Sequence, residues 1–298
     1  FNPIDRYGFW AMQVFFRDKS WNLFTFLFGL GFALQIIRAG ERGDRFLPRY
    51  ARRLVVLFGF GCLASISSGF DILTLYAILG FVLLLFRNWS PRWLLVAAAL
   101  FLLVYPINVT IRSMVPLDPE MAVATARAAS DAGQAQFDES QEWWRVTMTG
   151  SLFANWGLQA RTYPRHLVNG MAPFEADSGR GWSPFLAMLL LGLYAGKRRI
   201  FHEFERHRVL IRRFFFWGLP LGLLAMTAEW IFGNVVSGPL SPALRFARTA
   251  SYAYGSPVLA LSYAAGLVLL IQRPGWKRIL APLGSMGRMT LTVYLSQG

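Results

Sequence analysis

Apolar and polar residues fall along this chain in long blocks, not at the spacing of a half-buried soluble helix or strand. The organising block is Leu54 to Phe86, thirty-three residues of which only Asp71 carries a charge at neutral pH. As one helix it would run about 50 Å at 1.5 Å per residue, against roughly 30 Å of hydrocarbon in a bilayer. The block therefore predicts two antiparallel membrane helices, Leu54 to about Ser68 and Ile72 to Phe86, turning through Ser65, Ser67, Ser68 and Gly69. Each arm spans only about 25 Å, which leaves Asp71 partly inside the membrane. A carboxylate at that depth is costly, and it marks a candidate functional site.

Reading apolar runs of membrane length between polar punctuation predicts eight spans, near 21–38, 54–69, 72–86, 93–111, 182–196, 214–232, 251–271 and 279–296. Trp21, Trp93, Trp182, Trp217, Trp230 and Trp276 sit near their ends, at the level where amphipathic rings meet headgroups. Alternate loops collect 18 basic residues against four acidic, and the opposite side carries 11 of each. The positive-inside rule puts the basic loops in the cytoplasm. Phe1 to Ser20, the Asp71 turn and the loop 112–181 then face outward. That loop is the one sizeable polar segment. It predicts a helix opening at Asp118, Pro119 and Glu120 and ending near Ala132, and a second from about Asp138 to Trp156, lying on the membrane or roofing a cavity.

Composition agrees with the pattern: 55% of residues are hydrophobic and 15% charged, the inverse of a soluble domain. The fold class is all-α, a polytopic membrane bundle of about eight helices, with residues 1–298 as one domain that includes the insert 112–181. A net charge of +14 would suit nucleic acid, but its confinement to alternate loops excludes that partner and leaves membrane lipids. The single cysteine, Cys62, excludes an intramolecular disulfide and reads as a small buried residue. The first residue is not Met, and an apolar segment runs to the end with no polar tail, so the sequence reads as a fragment.

Few residues offer chemistry. His202 and His207 flank Glu203 and Glu205, but five residues turn two side chains about 140° apart on a helix, so no metal site is expected. Glu229, near the outer end of the sixth span, and Arg288, at mid-depth of the eighth, are the other charges in apolar sequence. Each should face the bundle interior, as an Arg288–Asp71 or Arg288–Glu229 pair or in contact with substrate. His166 is the one outward histidine available as a general base. The basic run leading into the second span, with Arg49, Arg52 and Arg53, orients the chain on anionic headgroups or docks the phosphates of a nucleotide-bearing donor. Gly29 and Gly31, Gly192 and Gly196, and Gly218 and Gly222 read as close helix packing, with Pro220 kinking the sixth span.

Leu23-Phe24-Thr25-Phe26-Leu27-Phe28-Gly29 with Gly31-Phe32, Asp71-Ile72-Leu73 with Tyr76-Ala77 and Gly80, Gly192-Leu193, and Gly287-Arg288-Met289 with Leu291-Thr292 and Tyr294-Leu295 follow in order along nearly the whole chain. Together they resemble the YeiB-like membrane proteins, a family of the domain of unknown function 418. That group is distantly similar to transmembrane acyltransferases such as heparan-alpha-glucosaminide N-acetyltransferase. The resemblance implies a bacterial inner-membrane protein that moves an acyl group from cytoplasmic acyl-CoA to a glycan or lipid acceptor. It also implies a further apolar span before the first one here and sequence beyond the last. Two positions depart from the family. Leu63 and Ala64 stand where relatives carry a histidine, and Val293 where they tend to have Asn.

Three functions follow as expectations. An acyltransferase would use Arg49, Arg52 and Arg53 on the donor, Asp71, Glu229 or His166 as base, and Arg288 to stabilise charge. A transporter or lipid-binding protein would use the same buried charges as a substrate or proton site. A structural protein would use them only to hold the bundle together.

Overall fold

The computed structural model describes residues 3–42, 46–68, 72–114, 119–170, 182–236, 238, 240–276 and 279–280. Helix α8 (Trp182–Lys197) is the axis around which they pack. Its sequence is apolar on every side, and Leu186, Ala187, Met188, Leu189, Leu190 and Leu193 are all buried, as an all-round hydrophobic helix must be. α2 (Lys19–Arg42) lies along one side of it and α5 (Pro91–Met114) along another. α10 (Pro242–Ile271) packs on α2 and α5, and α9 (Phe204–Asn234) packs on α10. α3 (Phe46–Ser68) and α4 (Leu73–Leu83, continued by a 3-10 turn to Phe86) form the predicted antiparallel pair.

The architecture is all-α among the described residues. Five segments are long and apolar enough to cross a membrane: Tyr7–Glu41, Leu47–Ser67, Pro91–Met114, Phe204–Asn234 and Pro242–Ile271. Two more apolar helices, Leu73–Phe86 and Ser183–Lys197, stand where spans are predicted but are shorter. Segments of that length reach only about 20–24 Å at 1.5 Å per residue. Most of the eighth predicted span falls on residues 281–298, outside the described residues.

Contact between α2 and α8 is close enough to exclude side chains. A Cβ on Gly29 would overlap the carbonyl oxygen of Leu189, and one on Gly192 that of Phe26. Small residues at such a crossing let the backbones approach, and dispersion supplies the association. Gly196, Gly218 and Gly222 likewise meet Ala33, Ser262 and Leu259, whereas Gly31 faces open space and makes no such contact. A buried Thr25–Tyr76 hydroxyl pair (2.7 Å) ties α2 to α4. At the opposite end of α8, Lys197 Nζ donates to the carbonyls of Arg87 (2.5 Å) and Trp89 (2.6 Å), pinning the turn between α4 and α5.

Two regions differ from expectation in the elements they form. The insert is one long helix, α6 (Pro119–Thr149), followed by α7 (Leu152–Gly170), so the break predicted between Ala132 and Asp138 is absent. Gln134 bridges that stretch by donating to Asp138 one turn on (2.8 Å), and Gly133 is tolerated within the helix. The chain turns instead at Gly150, where Ser151 caps α7 by accepting from the Ala154 amide (3.2 Å). The first twenty residues, expected to lie outside the first span and face outward, include α1 (Pro3–Ala11) and a π-helical turn, Met12–Phe16, whose Val14 is buried against Met226 and Leu259.

Candidate functional site

The π-turn sets the site. It closes with the Arg17 amide on the Met12 carbonyl (3.1 Å), and Asp18 then turns through a left-handed backbone (φ 62°) before α2 begins at Lys19. Within one apolar stretch, Tyr7–Glu41, the helix is therefore broken. A break in an apolar helix leaves backbone groups that protein or a cavity must satisfy, and both π-turns and left-handed non-glycine residues concentrate at functional sites.

Here a cavity does surround it. A chamber of about 50 Å³ is lined by Asp18, Trp21 and Asn22 from this segment, Tyr105 from α5, and Tyr252 and Ser256 from α10. The Tyr252 hydroxyl donates to Asp18 Oδ2 (2.7 Å), and Asn22 Nδ2 donates to Ser256 Oγ (2.9 Å). Arg17 Nε lies 3.3 Å from the same Asp18 oxygen, and Arg17 Nη1 donates to Gln13 Oε1 (2.9 Å). Lys19 is 3% exposed and donates to the Gln13 carbonyl (3.3 Å). A buried ammonium needs opposite charge nearby, and Asp18 and Glu229 provide it.

Glu229 comes to this cluster from α9, where it shares the field of Arg17, Asp18, Lys19 and Arg248. Its carboxylate stands 3.9 Å from Arg248 of α10, beyond the 2.7–2.9 Å of a direct charge-assisted hydrogen bond. At that distance the two charges attract without a direct hydrogen bond, so each can still turn a hydrogen-bonding position to a ligand beside the pair. Sequence reading singled out Glu229 but not its partner, and it missed Arg17, Asp18 and Lys19 altogether. Three consecutive charges inside an otherwise apolar stretch were the available signal.

The other candidates divide. Asp71 and Arg288 lie outside the described residues. His166 belongs to α7, but its side chain is outside the description. Three residues before it, Tyr163 shares hydroxyl contacts with Thr74 (3.0 Å) and the Cys62 thiol (3.5 Å), so α7 docks beside the end of the α3–α4 pair nearest residue 71. Arg49, Arg52 and Arg53 are at the other end of the bundle, at or close to the surface of the first turns of α3, with Arg53 donating to Gln35 of α2 (2.8 Å). No cluster that could hold a metal exists among the described residues, His202 and His207 included.

A second cavity lies toward that basic end. It measures about 260 Å³ and is walled by apolar side chains, among them Phe26, Leu95, Leu191, Phe201, Phe214 and Leu261. α2, α5, α8 and α10 line both cavities, the apolar one near the basic loops and the polar one near the helix break.

Residues 195–298 match the model of a family described as protein of unknown function (DUF418). The chain is 31% identical over 291 residues to the uncharacterized protein YxaH of Bacillus subtilis (strain 168), covering 96% of this chain and 66% of that protein. It is 27% identical over 296 residues to an uncharacterized 39.9 kDa protein in the amylase 3' region of Bacillus acidopullulyticus, covering 96% and 65%. The chain thus spans just under two thirds of the length of these curated relatives. No solved structure matches it. By its apolar helices this is a membrane protein, and it belongs to the DUF418 family.

Proposed function

We propose that this protein is a membrane acyltransferase of the bacterial inner membrane. Its basic loops face the cytoplasm, where Arg49, Arg52 and Arg53 engage the phosphates of an acyl-CoA. The acyl group passes to a glycan or lipid acceptor at the charge cluster beside Glu229. The observation that carries the reading is the spaced Glu229–Arg248 pair, 3.9 Å apart, beside a broken helix and a buried lysine. From Lys19 to Arg38 along α2 is about 28 Å at 1.5 Å per residue, the thickness of the hydrocarbon core, so donor and acceptor ends face opposite sides.

In this reading Glu229 takes the proton from the acceptor hydroxyl or amine as that atom bonds to the thioester carbonyl carbon. The carbon–sulfur bond breaks, and coenzyme A leaves as thiolate. Arg248 and Lys19 favour the oxyanion that develops on the carbonyl, and Arg288 and Asp71 are further candidates for charge stabilisation and proton transfer. The test is calorimetric binding of acetyl-CoA and longer acyl-CoAs to the purified full-length protein. Binding that Arg52→Ala/Arg53→Ala weakens at least tenfold supports the donor site; no binding at millimolar ligand removes it.

A transporter is the second reading, favoured by the two cavities that share four helices. Uptake of a polar solute into proteoliposomes, with no acyl-CoA binding, would select it.

A further inference from the structure

We propose that the cleft between α9 and α10 binds an anionic phospholipid, with its phosphate held by Arg208, Arg212 and Arg273. This inference is independent of acyl transfer. The cleft measures about 830 Å³, the larger by far of the three cavities described. Its wall is Phe215, Phe216 and Leu219 from α9 and Tyr263, Leu267 and Leu270 from α10. Phe216 is 60% exposed and Leu267 44%, so the cleft opens sideways, where a membrane protein meets lipid.

Its charges sit at one end. Arg208 and Arg212 stand two to three turns before Leu219 on α9, and Arg273 ends the cleft just past α10. Arg208 reaches Glu205 only at 3.9 Å, and Arg212 lies over the Phe216 ring (5.8 Å). Neither Arg212 nor Arg273 has a carboxylate within ion-pair distance among the described residues. The mouth is thus net positive, with guanidinium groups free to take phosphate oxygens in bidentate fashion. From Tyr263 to Arg273 is about 15 Å at 1.5 Å per residue, half the roughly 30 Å of hydrocarbon. A cationic mouth above an apolar wall one leaflet deep fits a phospholipid lying along the two helices. Zwitterionic lipid offers less to the arginines, and a free phosphate leaves the wall uncovered.

The experiment is native mass spectrometry of the purified full-length protein titrated with dioleoyl phosphatidylglycerol or dioleoyl phosphatidylcholine. Wild type is expected to retain phosphatidylglycerol selectively. An arginine near the headgroups is worth about fivefold in binding, so Arg208→Gln/Arg212→Gln/Arg273→Gln should lose roughly a hundredfold. Arg92→Gln/Arg198→Gln, at the same end but outside the cleft, should change it little. Leu267→Trp, which fills the cleft and keeps every charge, should also weaken phosphatidylglycerol, which separates a seated lipid from attraction to a basic surface. Circular dichroism confirms that each variant is folded; should the triple variant fail, Arg212→Gln and Leu267→Trp carry the test. Equal retention of the two lipids by wild type overturns the proposal, whether the cleft is empty or filled by another part of the chain. Selectivity that survives both the arginine and the Leu267 variants overturns it as well.

Discussion

Glu229→Gln is expected to lower acyl transfer about a hundred- to ten-thousand-fold, the range lost when a positioned general base is removed, while acyl-CoA binding stays within twofold of wild type. Glutamine keeps the shape of the side chain and can still meet Arg248, but it cannot accept a proton. Folding should survive the change. Arg248 is 40% exposed, so solvent screens the pair, and its contribution to stability is at most about 1 kcal/mol. Steady-state turnover together with calorimetric binding checks this. Equal loss of binding and turnover would place Glu229 in the donor site or the fold, and unchanged turnover would remove it from the chemistry.

Gly192→Leu is expected to prevent assembly of the bundle. The first added carbon would already overlap the Phe26 carbonyl across the α2–α8 contact, and backbone atoms cannot move aside as the end of a flexible side chain can. Overpacking of a close core contact costs about 1–3 kcal/mol where neighbours can shift. Here the obstruction is the helix itself, and α8 touches α2, α4 and α5, so the loss should exceed that range. Gly31→Leu is the matched control, because nothing lies within 4 Å of a Cβ there. Size-exclusion profiles and thermal unfolding in detergent should show aggregated Gly192→Leu protein and near-normal Gly31→Leu protein.

How far the sequence could be read depended on which force set each feature. Apolar run length placed α4, α5, α8 and the end of α3 to within a few residues, because burial and bilayer thickness act on runs of side chains, whereas α3 begins eight residues before its apolar run. Polar helix ends were less legible. α9 begins ten residues before its apolar run and α10 nine before its own, since helical hydrogen bonding continues through Arg206–Arg213 and Arg245–Arg248 once the polar side chains can reach solvent. The start of α10 did carry its signature, Ser241 accepting from the Leu244 amide (3.3 Å) ahead of Pro242. The charge cluster beside the chamber was legible in one residue only. Glu229 stood out as a charge in apolar sequence, but its setting comes from Asp18, Lys19 and Arg248, which are distant in sequence and meet only through packing. Periodicity also gives no sign of the π-turn, which inserts residues without changing composition.

The central claim is that the acyl group of a coenzyme A whose phosphates dock at the basic end passes directly to an acceptor beside Glu229. The direct measurement supplies acetyl-CoA, radiolabelled in the acetyl group, to the cytoplasmic face of inside-out membrane vesicles containing the full-length protein, then extracts lipid and glycan fractions. Label should enter one of those fractions with wild type and fall to background with Glu229→Gln. Label that stays on coenzyme A with wild type, in vesicles whose protein is folded and binds acetyl-CoA, would contradict the account.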